Sequence, residues 1–302
     1  MATFNSTRLV DVISQTYALA MSKDDKRVRD WPLIQSPLPA VATVLGYVVL
    51  VVIGPRLMSG RDPVQLGHVL SVYNLTLVAL SAYMAYEFCM SAYLAGYSLG
   101  CQMVDFSTNP LALRMARVCW LYYISKYTET ADTIFFILRK KTNQLTFLHV
   151  YHHSTMIFIW WINAKYVPGG LVFFHATLNC FVHVIMYSYY GLAALGPSLQ
   201  PYLWWKKYVT KVQLIQFFAT FIHTLYVCTR CDFPLGLSIA ALLYDVTLIL
   251  LFINYYHQEY VTRKRSHLKV EGYPPLINGT QNGDKKLFIK ETQNGDKKSH
   301  IE

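Results

Sequence analysis

The stretch "VATVLGYVVLVVIG", Val41 to Gly54, contains no charged side chain. A run of that kind, extended on both sides to about twenty residues, restricts the backbone severely. In hydrocarbon every N–H and C=O must find its partner inside the segment, which only a helix achieves for a single span. Comparable runs recur along all but the ends of the 302-residue chain, at roughly 38–58, 67–95, 112–138, 146–164, 169–190, 203–227 and 235–256. With 54% hydrophobic and only 15% charged residues, the chain reads as an all-α polytopic membrane protein of about seven transmembrane helices. The count falls to six if one run is re-entrant.

Loop charges orient these spans, because positively charged short loops are retained in the cytosol. Arg56 and Arg61 follow span one, Arg139 to Lys141 follow span three, Lys206, Lys207 and Lys211 follow span five, and Arg263, Lys264, Arg265 and Lys269 follow span seven. The opposite loops are poorer in positive charge, which predicts a lumenal N-terminus and a cytosolic C-terminus. The N-terminal basic residues Lys23, Lys26, Arg27 and Arg29 run against this and are partly offset by Asp24, Asp25 and Asp30. The net charge of +10 is mostly this topological bias, and no soluble domain exists to present a nucleic-acid surface.

Three regions follow: a lumenal segment over 1–30, a membrane domain over 31–260 and a cytosolic basic tail over 261–302. The first carries "SKDDKRVRD" and no hydrophobic run flanked by small residues, so no cleavable signal peptide is expected. Asn5-Ser6-Thr7 there is a glycosylation sequon on the lumenal side. The tail repeats Thr280–Lys286 as Thr292–Lys298 and, rich in Gly, Asn and Lys, is expected to be disordered. It ends Lys298-Ser299-His300-Ile301-Glu302, which fits a Lys-x-His-x-x retrieval pattern for the endoplasmic reticulum, or is an ordinary basic end. Of the six cysteines, Cys101 and Cys231 fall in two far-side loops and are candidates to pair, with Cys228 as the competing partner.

Ionisable groups inside spans are costly, and here they cluster. Lys126, Glu129 and Asp132 stand at i, i+3, i+6 in span three, within roughly 120° of arc on a continuous helix. An intrahelical Lys126–Glu129 ion pair would account for two of them. His149, His152 and His153 share one face of span four; Asn179, His183 and Tyr190 share a stripe of span five. His175 sits nearer the lumenal end. Gln213 and Gln216 begin span six, where two amides also serve as interhelical glue. Counted from the loops, these groups lie roughly 10–20 Å deep on the cytosolic side.

Two chemistries use such histidines. His-x-x-His-His is a ligand box in membrane desaturases and hydroxylases, but a di-iron site needs roughly eight or more ligands. Of ten histidines, His68, His257, His267 and His300 lie in loops, at span ends or in the tail. The other chemistry is nucleophilic: desolvation favours the neutral imidazole, which can attack a thioester carbonyl. The neighbouring polar groups would orient it, move protons and stabilise negative charge on the thioester oxygen. A seven-helix receptor or transporter shares the topology, yet has no reason to collect these side chains at one depth.

Lys126-x-x-Glu129-x-x-Asp132-Thr133, His149-x-x-His152-His153, His183-x-x-Met186-Tyr187-x-Tyr189-Tyr190 and Thr210-x-x-Gln213-x-x-Gln216 resemble, in order, the four signatures of the fatty acid elongases of the endoplasmic reticulum. The resemblance covers roughly residues 25–260. It implies seven helices, six of them surrounding an acyl tunnel closed toward the lumen. The implied activity is that of a 3-oxoacyl-CoA synthase joining a long acyl-CoA to malonyl-CoA with loss of CO2 and CoA. No metal or other cofactor is implied; malonyl-CoA is a co-substrate. Gln144 resembles the subgroup acting on polyunsaturated and very long chains, whereas the tail departs from the usual dilysine ending. The implied catalytic set is His152 as acyl-accepting nucleophile, with His149, His153, His183, Lys126, Glu129 and Asp132. Candidates for binding substrate are Asn179, Tyr187, Tyr190, Gln213, Gln216, Lys206 and Lys207. Implied partners are the reductases and dehydratase that complete the elongation cycle, and other elongases.

Overall fold

The computed structural model describes residues 6–262. The Asn5 sequon and the tail beyond Thr262, with Lys298 and His300, lie outside them. Among the described residues the chain is helical and has no strand. Its α-helices are α1 (Ser6–Ser22), α2 (Leu38–Leu57), α3 (Gly67–Leu94), α4 (Pro110–Glu129), α5 (Ala131–Leu138), α6 (Phe147–Tyr166), α7 (Val172–Ala194), α8 (Lys206–Arg230) and α9 (Leu235–Tyr256). A π-helical turn, His257–Thr262, extends α9.

Helices occupy every interval expected to span. Four of them, α2, α3, α8 and α9 with its extension, are long and apolar enough by length and composition to cross a membrane. The other intervals carry the polar groups singled out above: Lys126 and Glu129 on α4, three histidines on α6, and His175, Asn179 and His183 on α7. The large apolar residues left on the outside, among them Leu45, Val49, Val52, Ile215, Ile222 and Leu250, are exposed by the packing. An apolar outer surface of that kind suits contact with acyl chains.

Span three departs from expectation. It is two helices, α4 and α5, divided at Thr130. The cause is local: Ser125, Thr128 and Thr130 each turn a hydroxyl back to the carbonyl three residues earlier at 2.7 Å. The backbone bonds Thr130 N to Tyr127 O and Thr133 N to Thr130 O are likewise of the i to i−3 kind. Hydroxyl back-bonding and tightened turns disturb a regular α-helix.

Packing runs in a closed circuit, α3 to α4 to α6 to α9 to α8 to α7 and back to α3, with α2 outside against α5 and α6. The core within it is built from Met84, Phe88, Met115, Tyr122, Tyr123, Ile157 and Ala176. One end of the bundle is stitched shut. Cys101 in the α3–α4 loop is joined by a disulfide to Cys231 after α8, Cα to Cα 5.3 Å, and Cys228 is free. Gly170, at φ +57°, brings the α6–α7 turn onto the same loop; a Cβ there would lie 2.8 Å from Val104 N. Only glycine accepts both the conformation and the approach.

The segment between α1 and α2 closes this end over α6. Lys165 Nζ reaches Asp24 at 3.2 Å and Ile34 O at 3.4 Å. Arg29 forks onto Asp24 and Arg27 onto Asp25. Trp120 Nε1 donates to Pro32 O and Tyr123 OH to Leu33 O. The Arg29 guanidinium, aided by Lys165, holds the Asp24 carboxyl below its usual 3.8 despite some desolvation. The charges of the N-terminal segment thus act as a clasp.

Candidate active site

Thr146 starts the helix that presents the histidines: its Oγ1 accepts from His149 N at 3.2 Å, the N-cap arrangement that satisfies an otherwise unpaired donor. His149, His152 and His153 then follow on one face. His149 Nε2 bonds Thr133 Oγ1 at 2.7 Å, and Thr133 Oγ1 in turn bonds Tyr47 OH at 3.0 Å. That chain links α6 to α5 and α2. The rings of His149 and His153 stand 4.4 Å apart, and His152 meets His153 edge-on at 5.3 Å. Among the described residues the His152 ring makes no hydrogen bond, and it is only half-buried.

Opposite stands a fully enclosed ion pair. Lys126 Nζ donates to Glu129 Oε1 at 2.6 Å, and both side chains are almost completely buried. The same carboxylate oxygen lies 3.3 Å from Ser125 Oγ and 3.5 Å from His183 Nδ1. Lys126 also sits 4.0 Å from the centre of the Tyr122 ring, a contact that adds to its attraction for a site without water. Asp132 does not join the ion pair, because the break at Thr130 places it on α5. It accepts from Tyr187 OH at 3.2 Å instead, so the shared arc expected of three charges on one helix resolves into a pair and a separate carboxyl.

Of the other candidates, Asn179 and Gln216 come together. Tyr122 OH donates to Asn179 Oδ1 in a short bond, and Asn179 Nδ2 lies 3.5 Å from Gln216 Oε1. Gln213 turns to Met186, Nε2 to Sδ 3.3 Å. Tyr187 packs its ring on His183 at 5.4 Å and on Tyr190 at 6.1 Å. Lys206 pairs with Glu259 at 2.8 Å, and Lys207 stands 5.0 Å from the Tyr208 ring centre. Both lysines sit at the rim, apart from the buried cluster.

A cavity of about 310 Å³ adjoins the cluster, inside the circuit of helices. Tyr122, Asn179 and Gln216 belong to both. From them it runs between Met156, Trp160, Leu171, Phe217, Leu237 and Leu248 toward Val227 and Phe233, near the disulfide. His175 is a wall residue of this cavity, 3.1 Å from Thr224 Oγ1 and 3.4 Å from His223 Nδ1. Its place is explained by the cavity, not by solvent at a helix end.

Sequence reasoning missed Tyr47, Tyr122, His223 and Asp245 as neighbours of the site. Tyr122 lies one turn before Lys126, which is a usable signal. Tyr47 stands on α2, a helix with no charged residue before Arg56, and offered only its hydroxyl. Among the described residues no three His, Cys, Asp or Glu side chains converge as a metal site would require. The geometry sets three imidazoles beside a fixed, buried charge pair whose neighbours Tyr122, Asn179 and Gln216 line an apolar cavity, an arrangement suited to acyl transfer.

Comparison with known proteins agrees in kind. A sequence profile described as ELO: GNS1/SUR4 family matches residues 32–268. The chain is 46% identical over 287 residues, 94% of its length and 91% of the relative's, to the human protein named Very long chain fatty acid elongase 4. It is 45% identical over 260 residues to human Very long chain fatty acid elongase 1, covering 85% of the chain and 93% of that relative. To Very long chain fatty acid elongase 7 of Drosophila melanogaster it is 42% identical over 289 residues, with 89% and 88% covered.

Proposed function

The chain belongs to the ELO: GNS1/SUR4 family, and from that premise we propose that it is a very-long-chain 3-oxoacyl-CoA synthase. It condenses a long or very long, polyunsaturated acyl-CoA with malonyl-CoA. The observation that carries this reading is the shared wall: Tyr122, Asn179 and Gln216 join a buried Lys126–Glu129–His183 cluster, with the histidine face beside it, to an elongated apolar cavity. Thioester chemistry and an acyl tail are thereby provided for side by side.

In the first half-reaction the unbonded His152 ring attacks the acyl-CoA thioester carbonyl. The C–S bond breaks, CoA leaves as the thiol after taking a proton, and the acyl group rests on the imidazole. In the second, malonyl-CoA loses CO2 and the resulting enolate attacks the acyl carbonyl; the C–N bond breaks, the ring nitrogen takes back a proton, and a 3-oxoacyl-CoA two carbons longer is released. The Lys126 ammonium, held by Glu129, supplies positive charge near the developing oxyanions. His149, fixed by Thr133, and His183, beside Glu129, orient the nucleophile and carry protons. The cavity holds the acyl chain as a tunnel closed at the disulfide end by the 97–109 loop. Six helices form that tunnel and, with α2, all seven hydrophobic segments cross the bilayer.

The family resemblance supports a multi-pass protein of the endoplasmic reticulum, and the loop charges support a lumenal N-terminus and a cytosolic C-terminus. A 3-oxoacyl-CoA product calls for reduction, dehydration and a second reduction, so the partners are enzymes of those classes. Microsomes expressing the chain, given labelled malonyl-CoA and a panel of acyl-CoA primers, should yield acyl products lengthened by two carbons. No incorporation with any primer would overturn the assignment.

A further inference from the structure

The cavity is not uniformly apolar. Asp245 and Ser238, seven residues apart and on one face of α9, both belong to its wall and are more than nine-tenths buried. Asp245 Oδ1 receives the Thr220 hydroxyl at 3.3 Å. Its Oδ2 has no partner, and neither has Ser238 Oγ. The Thr220 hydroxyl, with a single proton, is shared between Asp245 Oδ1 and Phe217 O at 3.0 Å, and Thr224 Oγ1 donates to Thr220 O.

An unpaired buried carboxyl oxygen is expensive to keep. A fully hydrocarbon chain would leave it unpaired, since such a chain has no hydrogen-bond donor. Resting on the reading of this cavity as the acyl site, we propose that it takes an acyl chain bearing a hydroxyl group, whose O–H donates to Asp245 Oδ2. The substrate class would then include hydroxyacyl-CoAs.

The position of the hydroxyl along the chain also follows. Tyr151 OH bonds Thr247 Oγ1 at 3.0 Å, and Thr155 Oγ1 bonds Tyr244 OH at 2.8 Å. These two bonds bracket Asp245 and set it level with the turn of α6 that carries His152. Ser238 lies about two turns, roughly 10 Å, farther along α9. The preferred hydroxyl is therefore nearer the thioester than the ω end.

The test is competition for the purified full chain, in which stearoyl-CoA and its positional hydroxy isomers displace a fluorescent acyl-CoA. A hydroxyl near the thioester should improve displacement over stearoyl-CoA by about tenfold, the scale of one hydrogen bond. Asp245→Leu should bring the ratio to near one, and Asp245→Asn, which keeps a carbonyl oxygen, should restore part of it. A ratio taken within one variant is insensitive to the fraction that folds. A wild-type ratio near one, or the same ratio in Asp245→Leu, overturns the proposal and means that Asp245 is only hydrated or structural. An optimum farther along the chain, at about two helical turns from that position, overturns the assignment to Asp245 in favour of Ser238. Binding needs no turnover: a hydroxyl preference without malonyl incorporation would sink the condensing activity alone, whereas incorporation without the preference would sink this inference alone.

Discussion

Glu129 has three neighbours on a single carboxylate oxygen, Lys126, Ser125 and His183, which makes the ion pair a fixed charge source inside the site. Removing one member of such a buried pair leaves the other charge uncompensated. Lys126→Met should therefore lower stability by about 3–5 kcal/mol, read from thermal unfolding in detergent. The double variant Lys126→Met/Glu129→Gln should recover much of that loss and none of the elongation, which separates stability from chemistry. His152 makes the opposite prediction, because its ring has no hydrogen bond to lose. His152→Ala should melt close to the wild type, yet show neither malonyl incorporation nor the acyl adduct that intact-mass measurement should find after incubation with acyl-CoA alone. An adduct that persists in His152→Ala and vanishes in His149→Ala or His153→Ala would transfer the nucleophile to the other ring. At this scale the side chains of the site were legible from spacing, since i, i+3 and i+4 positions share a helical face whatever surrounds them. Their partners were not: nothing in the order of residues says that Thr133 and Tyr47 would fix His149.

Helix boundaries position the site as much as side chains do. The Thr146 cap determines where α6 begins and hence the phase of its histidines. Thr146→Ala should cost about 1 kcal/mol and reduce elongation, with Thr146→Ser restoring both. The α4–α5 break at Thr130 separates Asp132 from the Lys126–Glu129 pair, and single-period reasoning could not see it, because hydroxyl back-bonding does not alter the hydrophobic pattern. A second element, the clasp between α1 and α2, carries a pH signature. The Asp24 carboxyl titrates below its ordinary value in the folded chain because of Arg29 and Lys165. Its contribution is thus complete above the unfolded value, about pH 4, and is lost as pH falls through the folded one. Acidification below about pH 4 should loosen the segment and change the fluorescence of Trp31 and Trp120, whose rings meet at 5.9 Å. Asp24→Asn should show the loosened spectrum at neutral pH and no acid transition of its own.

For the whole molecule, the Cys101–Cys231 disulfide closes a covalent loop between residues 130 apart in sequence. Cys231→Ser should lower stability by about 2–5 kcal/mol, measured as a fall in Tm and matched by mild reduction of the wild type. Because the bridge lies apart from the Lys126–Glu129 pair and the histidines, the change should be larger in stability than in incorporation at permissive temperature. Sequence alone determined that the chain is helical, where its seven hydrophobic segments lie, though not α1 or the α4–α5 break, and that Lys126, Glu129 and three histidines occupy particular faces. Those properties follow from local rules, the requirement that a backbone in hydrocarbon bond to itself and the fixed rotation per residue. The tertiary structure alone decided which faces meet. The circuit of six helices, the choice of Cys231 over Cys228, the Tyr122–Asn179–Gln216 wall and the unpaired Asp245 oxygen all depend on contacts between segments far apart in the chain. Periodicity carries no information about such contacts, because it fixes the orientation of a residue on its own helix and not the identity of its neighbour.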